Sequence, residues 1–296
     1  MSITDADQHA TRPPIVTRDL RLVYLMSVCV AVLMTVASLA GIVDANRVYV
    51  GLDRGLLTLF IGQDVLNLLV GVPILLASMW LARRGSVTGL LMWPGALFYV
   101  LYDYGYYVLG GPFNGFFLAY IALMTLSAYS MIAVVVSLDA VAVRSQLATA
   151  IRPRAIGGFL VGLAILFTAL WSALVASALI GGTEFGLVPR VVTTLDLTLQ
   201  LPALFVGGVL LIRRHPLGYV VAPGLLLQAS AYLPGLSTIS LLQGVVLEQS
   251  FDATAVVPGF IVGVIGLLMI GSVVRAAGRP SERTVKPVAI PAHLVT

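Results

Sequence analysis

Three aspartates stand where lipid is expected. Asp64, Asp103 and Asp196 each fall inside a long apolar run, and each has amide, hydroxyl or phenol side chains at helical spacing. Asp64 and Asn67 are three residues apart and share a helix face. Asp196 and Gln200 are four apart and do the same, with Thr193 and Thr194 just before them. An aspartate at the centre of a spanning helix costs about 2.5 to 3.5 kcal/mol on insertion scales. Such residues face a bundle interior or a wet cavity and mark ion, proton or solute paths. Acid, amide and phenol together predict a polar site for a small solute or cation. Its candidate residues are Asp64, Asn67, Asp103, Asp196, Gln200 and Gln228.

Helix rise gives their depth. Asp64 precedes Arg83 by 19 residues and Asp103 follows Arg84 by 19, about 28 Å in each case. Asp196 precedes Arg213 by 17 residues, about 25 Å. With a hydrocarbon core of about 30 Å, all three acids are expected in one layer, in the outer third. A purely structural role is also open: an acid near the N-terminus of an inward-running helix gains about 0.3 to 1 kcal/mol from the macrodipole. Arg47, Arg54 or Arg190 could fold in as a partner from an outer loop.

The elements that must hold these residues are membrane helices. The chain has 296 residues, 59% hydrophobic and 10% charged, with a mean hydropathy of +1.02. A soluble fold of this size cannot hide that much apolar surface. Eight stretches approach the roughly 20 apolar residues that a crossing needs. They are 22–43, 57–81, 87–109, 113–138, 155–180, 191–212, 217–241 and 255–274. The first could be read as a secretory signal with Ser38 and Ala40 at a cleavage site, but the polar leader is long for one. Arginines alternate by loop: 83 and 84, then 144, 152 and 154, then 213 and 214 share a side with both tails. The other loops hold Arg47, Arg54 and Arg190 against Asp44, Asp53, Glu184, Glu248 and Asp252. The positive-inside rule then puts both termini in the cytoplasm of a cell-membrane protein. The net charge of +4 is read as topology, not as a nucleic-acid surface.

The runs repeat. "GLLMWPGAL" at 89–97 resembles "GYVVAPGLL" at 218–226, and each follows an arginine pair. "VLMTVAS" at 32–38 is echoed by "ILFTALWS" at 165–172. The expectation is an all-α polytopic membrane helix bundle, eight transmembrane helices in two related four-helix halves. Residues 1–20 form a cytoplasmic tail, 21–138 the first half, 139–153 a cytoplasmic linker with a short interfacial helix, 154–276 the second half and 277–296 a disordered tail. Four is even, so both halves keep one orientation about an axis along the membrane normal. On the aligned third and seventh helices Tyr99 pairs with Gln228, and Asp103 with Tyr232.

"FIGQDVLNLLVG" with "ARRGS", and "DLTLQLPALFVGGVLLIRRHPLGYVVAPG", resemble prokaryotic multi-spanning integral membrane proteins of uncharacterised function. The likeness covers the second, third, sixth and seventh spans. It implies the topology and brings no activity with it.

Other chemistry is poorly served. The single cysteine, Cys29, makes no internal disulfide, and the histidines at 9, 215 and 293 lie in tails or loops, so no metal or other cofactor is expected. "LYDYG" is similar to the Tyr-Asp pair of intramembrane aspartyl proteases, but the Gly-x-Gly-Asp partner is missing. No P-loop, dinucleotide or Gly-x-Ser-x-Gly signature is present. Trp80, Trp93 and Tyr102, Tyr104, Tyr106 and Tyr107 are expected as interfacial belts. Gly158 and Gly162, and Gly259, Gly263 and Gly266, are expected as close helix contacts. The partner shared by every reading is the lipid bilayer; a small solute or cation is the ligand expected of the polar site. The alternative is a non-catalytic membrane scaffold or assembly subunit with a closed interior.

Overall fold

The computed structural model describes residues 15–248 and 253–277. The expected tails up to residue 14 and from 278 onward lie outside the described residues. Lipid offers no partner for backbone N–H and C=O groups, so a chain this apolar satisfies them within helices. The first is α1, Arg21–Val43, followed by the short α2, Ala45–Val48. Next comes α3, Arg54–Leu66, capped by the Asp53 carboxylate, which accepts from the Leu56 N–H at 3.0 Å. A π-helical turn at Asn67–Gly71 leads into α4, Val72–Arg83. Gly85 then turns the chain at φ +75° into α5, Val87–Gly110. After it come α6, Phe117–Val136, and the short α7, Ala140–Leu147, which is capped by Asp139.

The later elements follow a similar order. They are α8, Pro153–Gly181, and α9, Leu187–Leu195, with a π-helical turn at Asp196–Gln200 running into α10, Leu201–Ile212. Arg214 turns the chain at φ +55° into α11, Pro216–Val246, and α12, Ala253–Ala277, ends the described chain. The only extended pairing among the described residues is the isolated bridge between Val16 and Leu138.

Both π turns have a visible cause. Pro73 and Pro202 each lie one residue into the next helix and bring no N–H. The residue before each proline donates five back instead, Val72 to the Asn67 carbonyl and Leu201 to the Asp196 carbonyl. Each turn widens the helix where a polar residue begins it.

Among the described residues seven helices are long and apolar enough to cross a membrane: Arg21–Val43, Arg54–Arg83, Phe117–Val136, Pro153–Gly181, Leu187–Ile212, Pro216–Val246 and Val256–Ala277. The protein is therefore a helical, multi-pass membrane bundle. The remaining long helix, α5, is rich in tyrosine and buried at every residue from Thr88 to Tyr107. It has no lipid face, so nothing selects for uniform hydrophobicity along it. It packs on α4, α6 and α11, and α11 in turn packs on α3, α10 and α12.

The centre of the bundle is a backbone contact. A Cβ on Gly95 would run into the carbonyl of Gly224, and one on Gly224 would lie 2.8 Å from the Gly95 nitrogen. These two glycines let α5 and α11 cross with their backbones touching.

The belt expectation is overturned for most of its members. Tyr102, Tyr104, Tyr106, Tyr107 and Trp93 are core residues, with the Trp93 indole donating to Ser27 at 3.1 Å. Only Trp80 is exposed, and it carries the Arg84 guanidinium 3.7 Å from its ring centre. The glycine expectation splits. Gly259, Gly263 and Gly266 press onto Ser237, Pro234 and Ser230 of α11, whereas Gly158 and Gly162 face open space. In α8 the close contact belongs to Gly157, against the Gly208 backbone of α10.

Candidate functional site

The polar site is built around α5. Its tyrosines at 99, 102 and 107 and its aspartate at 103 meet partners from α3 and the two π turns. Tyr102 and Tyr107 are five residues apart, about 7.5 Å along the axis, so all three carboxyl groups meet α5 within a short stretch of its length.

Asp64, near the end of α3, is buried. Its Oδ1 accepts from the Tyr107 hydroxyl at 2.9 Å, and its Oδ2 accepts from the Tyr49 hydroxyl. Tyr49 comes from the loop after α2, and its ring stacks on Phe60. A Cβ on Gly41 of α1 would collide with the same carboxylate, so glycine there makes room for the acid. Burial, and next the Asp64 carboxylate, push the Tyr49 hydroxyl well above its ordinary pKa; it stays protonated and donates.

Asn67 opens the first π turn and bridges two residues of α5. Its Nδ2 donates to Asp103 Oδ2 at 2.6 Å, and its Oδ1 accepts from the Tyr99 hydroxyl at 3.1 Å. Asp103 is fully buried, and its Oδ1 has no hydrogen-bond partner. Gln63, one turn before Asn67, likewise keeps a buried Nε2 without a partner.

Asp196 opens the second π turn. Its Oδ1 accepts from the Tyr102 hydroxyl and its Oδ2 from the Trp171 indole, both at 2.6 Å. Gln200, at the end of that turn, donates from Nε2 to Gln228 Oε1 at 2.6 Å. Gln200 Oε1 and Gln228 Nε2 are left buried without partners. The Tyr232 ring meets both Tyr99 and Tyr102 edge-on, at 5.7 and 4.9 Å between centres, and joins the two sets of groups.

The structure thus brings Asn67 to Asp103 and Gln200 to Gln228 directly, while Asp64 and Asp196 stand apart with separate hydroxyl donors. Two expectations are corrected. Neither Asp64 nor Asp196 caps a helix start, because the helices begin earlier than expected, at Arg54 and Leu187. No arginine folds in: the ion pairs among the described residues are Arg21–Asp19 and Arg47–Asp44, both at the surface. Among the described residues the three buried acids therefore have no ion-pair partner.

Sequence reasoning missed Tyr49, Tyr102, Tyr107 and Trp171 as partners of the acids. The spacing of Tyr99, Tyr102, Asp103, Tyr106 and Tyr107 was a signal, since so many hydroxyls on one helix need buried acceptors. Trp171 carried no signal beyond its place in the "ILFTALWS" echo.

Asp196 and Gln200 line a cavity of about 80 Å³ between α8, α10 and α11. A larger crevice of about 320 Å³ runs between α6, α10 and α11 past Met131, Val206 and Leu225 and has an apolar lining. Among the described residues no group of three or more His, Cys, Asp and Glu side chains could hold a metal ion. No family model, curated protein or solved structure matches the chain.

Proposed function

We propose that this protein crosses the cell membrane eight times, with both termini in the cytoplasm, and binds and carries a small solute or cation on its buried carboxyl layer. One observation carries the reading: three buried carboxyl groups gather around α5, and among the described residues none of them has an ion-pair partner. An isolated carboxylate is costly in a dry interior, so each acid requires a proton or an exogenous cation. The positive-inside pattern puts the loop after α5 outside. The layer lies toward that end of α5, with the Tyr49 loop over Asp64. On this reading the site faces outward, is sealed at Asp64 and Asp103 and borders a cavity at Asp196, and α5 is the eighth crossing.

A constant shift of 129 residues supports two related halves. It superposes the two π turns with Pro73 on Pro202, the left-handed Gly85 on Arg214, and the start of α5 on that of α11. It also maps Gly95 onto Gly224, which touch each other. Across the halves, Gly62 meets Ile239 while its counterpart Val191 meets Gly110, the counterpart of Ile239. Reciprocal contacts of that kind mark a two-fold relation. The register puts Asn67, not Asp64, opposite Asp196.

The test is thermal stability of the purified protein in detergent, with sodium, potassium or ammonium chloride against osmotically matched sucrose. A saturable rise in melting temperature is expected in the wild type and not in the Asp64→Asn/Asp196→Asn double variant, which should remain monodisperse. An unchanged response in that variant overturns the reading.

One observation favours the second reading, a non-catalytic scaffold. Both oxygens of Asp64 are already occupied by tyrosines, as they would be if the polar layer only held helices together. That reading expects no salt-specific response in either protein.

A further inference from the structure

The Asp196 cavity differs from the rest of the polar layer in being open, and its lining defines what it would accept. This inference rests on the binding function proposed above and narrows it to one site and one ligand class. We propose that the cavity between α8, α10 and α11 binds a small monovalent organic cation, an ammonium or short alkylammonium ion, with Asp196 as its counter-ion.

The charge of the wall sets the sign of the ligand. Among the described residues Asp196 is the one carboxyl group lining the cavity, and no lysine, arginine or histidine lines it. An anion would have no partner there. Asp196 is held in place by two donors, Tyr102 and Trp171, one on each oxygen. A carboxylate has about four lone-pair sites, so each oxygen keeps capacity for another donor. Gln200 adds a third acceptor. It lines the cavity, is nine-tenths buried, and has an Oε1 with no hydrogen-bond partner. Gln200 spends its only amide bond on Gln228. That single bond leaves the Gln200 carbonyl and the Gln228 amide unspent. Three acceptor positions suit the three N–H donors of a protonated primary amine.

The rest of the wall separates an organic ammonium from a metal ion. Phe167, Trp171 and Tyr232 line the cavity, and aromatic faces attract ammonium groups within about 6 Å of the ring centre. Leucines complete it and suit a short alkyl group. Calcium takes six to eight oxygen ligands, and no metal-holding cluster occurs among the described residues. Size agrees: a water occupies about 30 Å³ of liquid, so a cavity of about 80 Å³ holds a ligand of a few heavy atoms.

Access distinguishes this half of the protein from the other. In the first half α1 packs along α6 and closes the bundle beside Asp64. In the second, α8 packs on α10 and, slightly, on α11, with no comparable seam to α12 among the described residues. Phe167 and Trp171 are accordingly half-buried. The opening in front of Asp196 is the seam that the first half has closed.

Trp171 provides the readout. The purified full-length protein is titrated with methylammonium chloride against sodium chloride at equal ionic strength, and tryptophan fluorescence is followed. A saturable, methylammonium-specific change is expected in the wild type and in Trp80→Phe, whose ring lies on the outer surface. It should vanish in Trp171→Phe. Asp196→Asn should weaken binding by about tenfold or more, since a charge-assisted contact is lost. Gln200→Met keeps the volume, removes the acceptor and should weaken it less; it also serves if Asp196→Asn misfolds. No methylammonium response in the wild type overturns the proposal, as does a response unaffected by both Asp196→Asn and Gln200→Met. If sodium or potassium alone stabilises the protein, through Asp64 or Asp103, this site is wrong while the broader binding function stands. If no cation stabilises it, both fall.

Discussion

Two polar regions flank α5, and they resolve the same problem differently. Around Asp64 and Asp103 the groups are sealed: Tyr49, Tyr107 and Asn67 take three of the four carboxyl oxygens, and Asp103 Oδ1 and Gln63 Nε2 stay buried without partners and without a described cavity beside them. Around Asp196 the protein supplies two donors and then stops, leaving a cavity, a free glutamine carbonyl and a half-buried tryptophan. A closed network rigidifies and specifies a core. One that borders a cavity leaves room for a further partner. On the proposals above, the first region serves folding chiefly and the second binding.

The largest expected effect removes the wall that both regions share. Gly95→Val drives a side chain into the Gly224 backbone, and helix backbones cannot give way as a side-chain tip can. A loss of about 3 kcal/mol or more follows from overpacking a site this tight. Fluorescence-detected size exclusion after heating should show loss of the monodisperse peak. Gly224→Val should match it, and a well-tolerated substitution at either glycine would break the premise of one continuous core.

Asn67→Ala against Gln200→Ala tests the comparison directly. The first strands the Tyr99 hydroxyl and Asp103 Oδ2 in a sealed interior, at about 1 to 3 kcal/mol for each buried group left unpaired. The second enlarges an existing cavity, where water can take the place of the lost amide, and should cost about 1 kcal/mol or less. Apparent melting temperatures in detergent should fall further for Asn67→Ala. The reverse order would mean that the cavity region, not the sealed one, holds the bundle together.

Chemical access sharpens the contrast without perturbing the fold. A hydrophobic carbodiimide activates membrane carboxyl groups that it can reach, and the adduct is located by peptide mass. Asp196 should be modified while Asp64 and Asp103 stay protected, and methylammonium should slow the modification. Equal labelling of all three would remove the distinction between the regions.

How much of this was readable beforehand varied by residue. That the acids would lie close together could be expected, because an α-helix converts the distance from a fixed arginine pair into ångströms, and the three do gather on α5 between Tyr102 and Tyr107. Their partners were not legible. Tyr102 and Tyr107 looked interfacial because a hydropathy pattern registers polarity and position, and α5 is polar for a different reason: other helices surround it. The 129-residue register of the proposed halves was already in the pairing of 89–97 with 218–226. The counterpart of Asp196 was not legible, because the π turns begin at Asn67 and Asp196, and a π turn leaves no trace in the spacing until its proline is located. The reciprocal contacts of Gly62 and Gly110 also required coordinates, since glycines are common in membrane helices and a touching pair looks like any other pair.

The smallest expected effect lies at the cover of the sealed region. Tyr49→Phe keeps the ring on Phe60 and removes one hydrogen bond to Asp64, worth about 1 kcal/mol. Its pH dependence carries more information than its size. Burial and then the Asp64 carboxylate raise the Tyr49 pKa in the folded protein, whereas an unfolded tyrosine titrates near pH 10. The folded state therefore holds this proton more tightly. Its contribution to stability is constant below about pH 10 and declines as the unfolded hydroxyl ionises above it. The Tyr49→Phe variant should thus be destabilised by a constant amount through neutral and mildly alkaline pH. Above about pH 10 its melting temperature should fall less steeply than that of the wild type. Parallel curves across the whole range would mean that the Tyr49 hydroxyl reaches water. The loop would then be an open gate over Asp64, and the sealed region would lose the feature that sets it apart from Asp196.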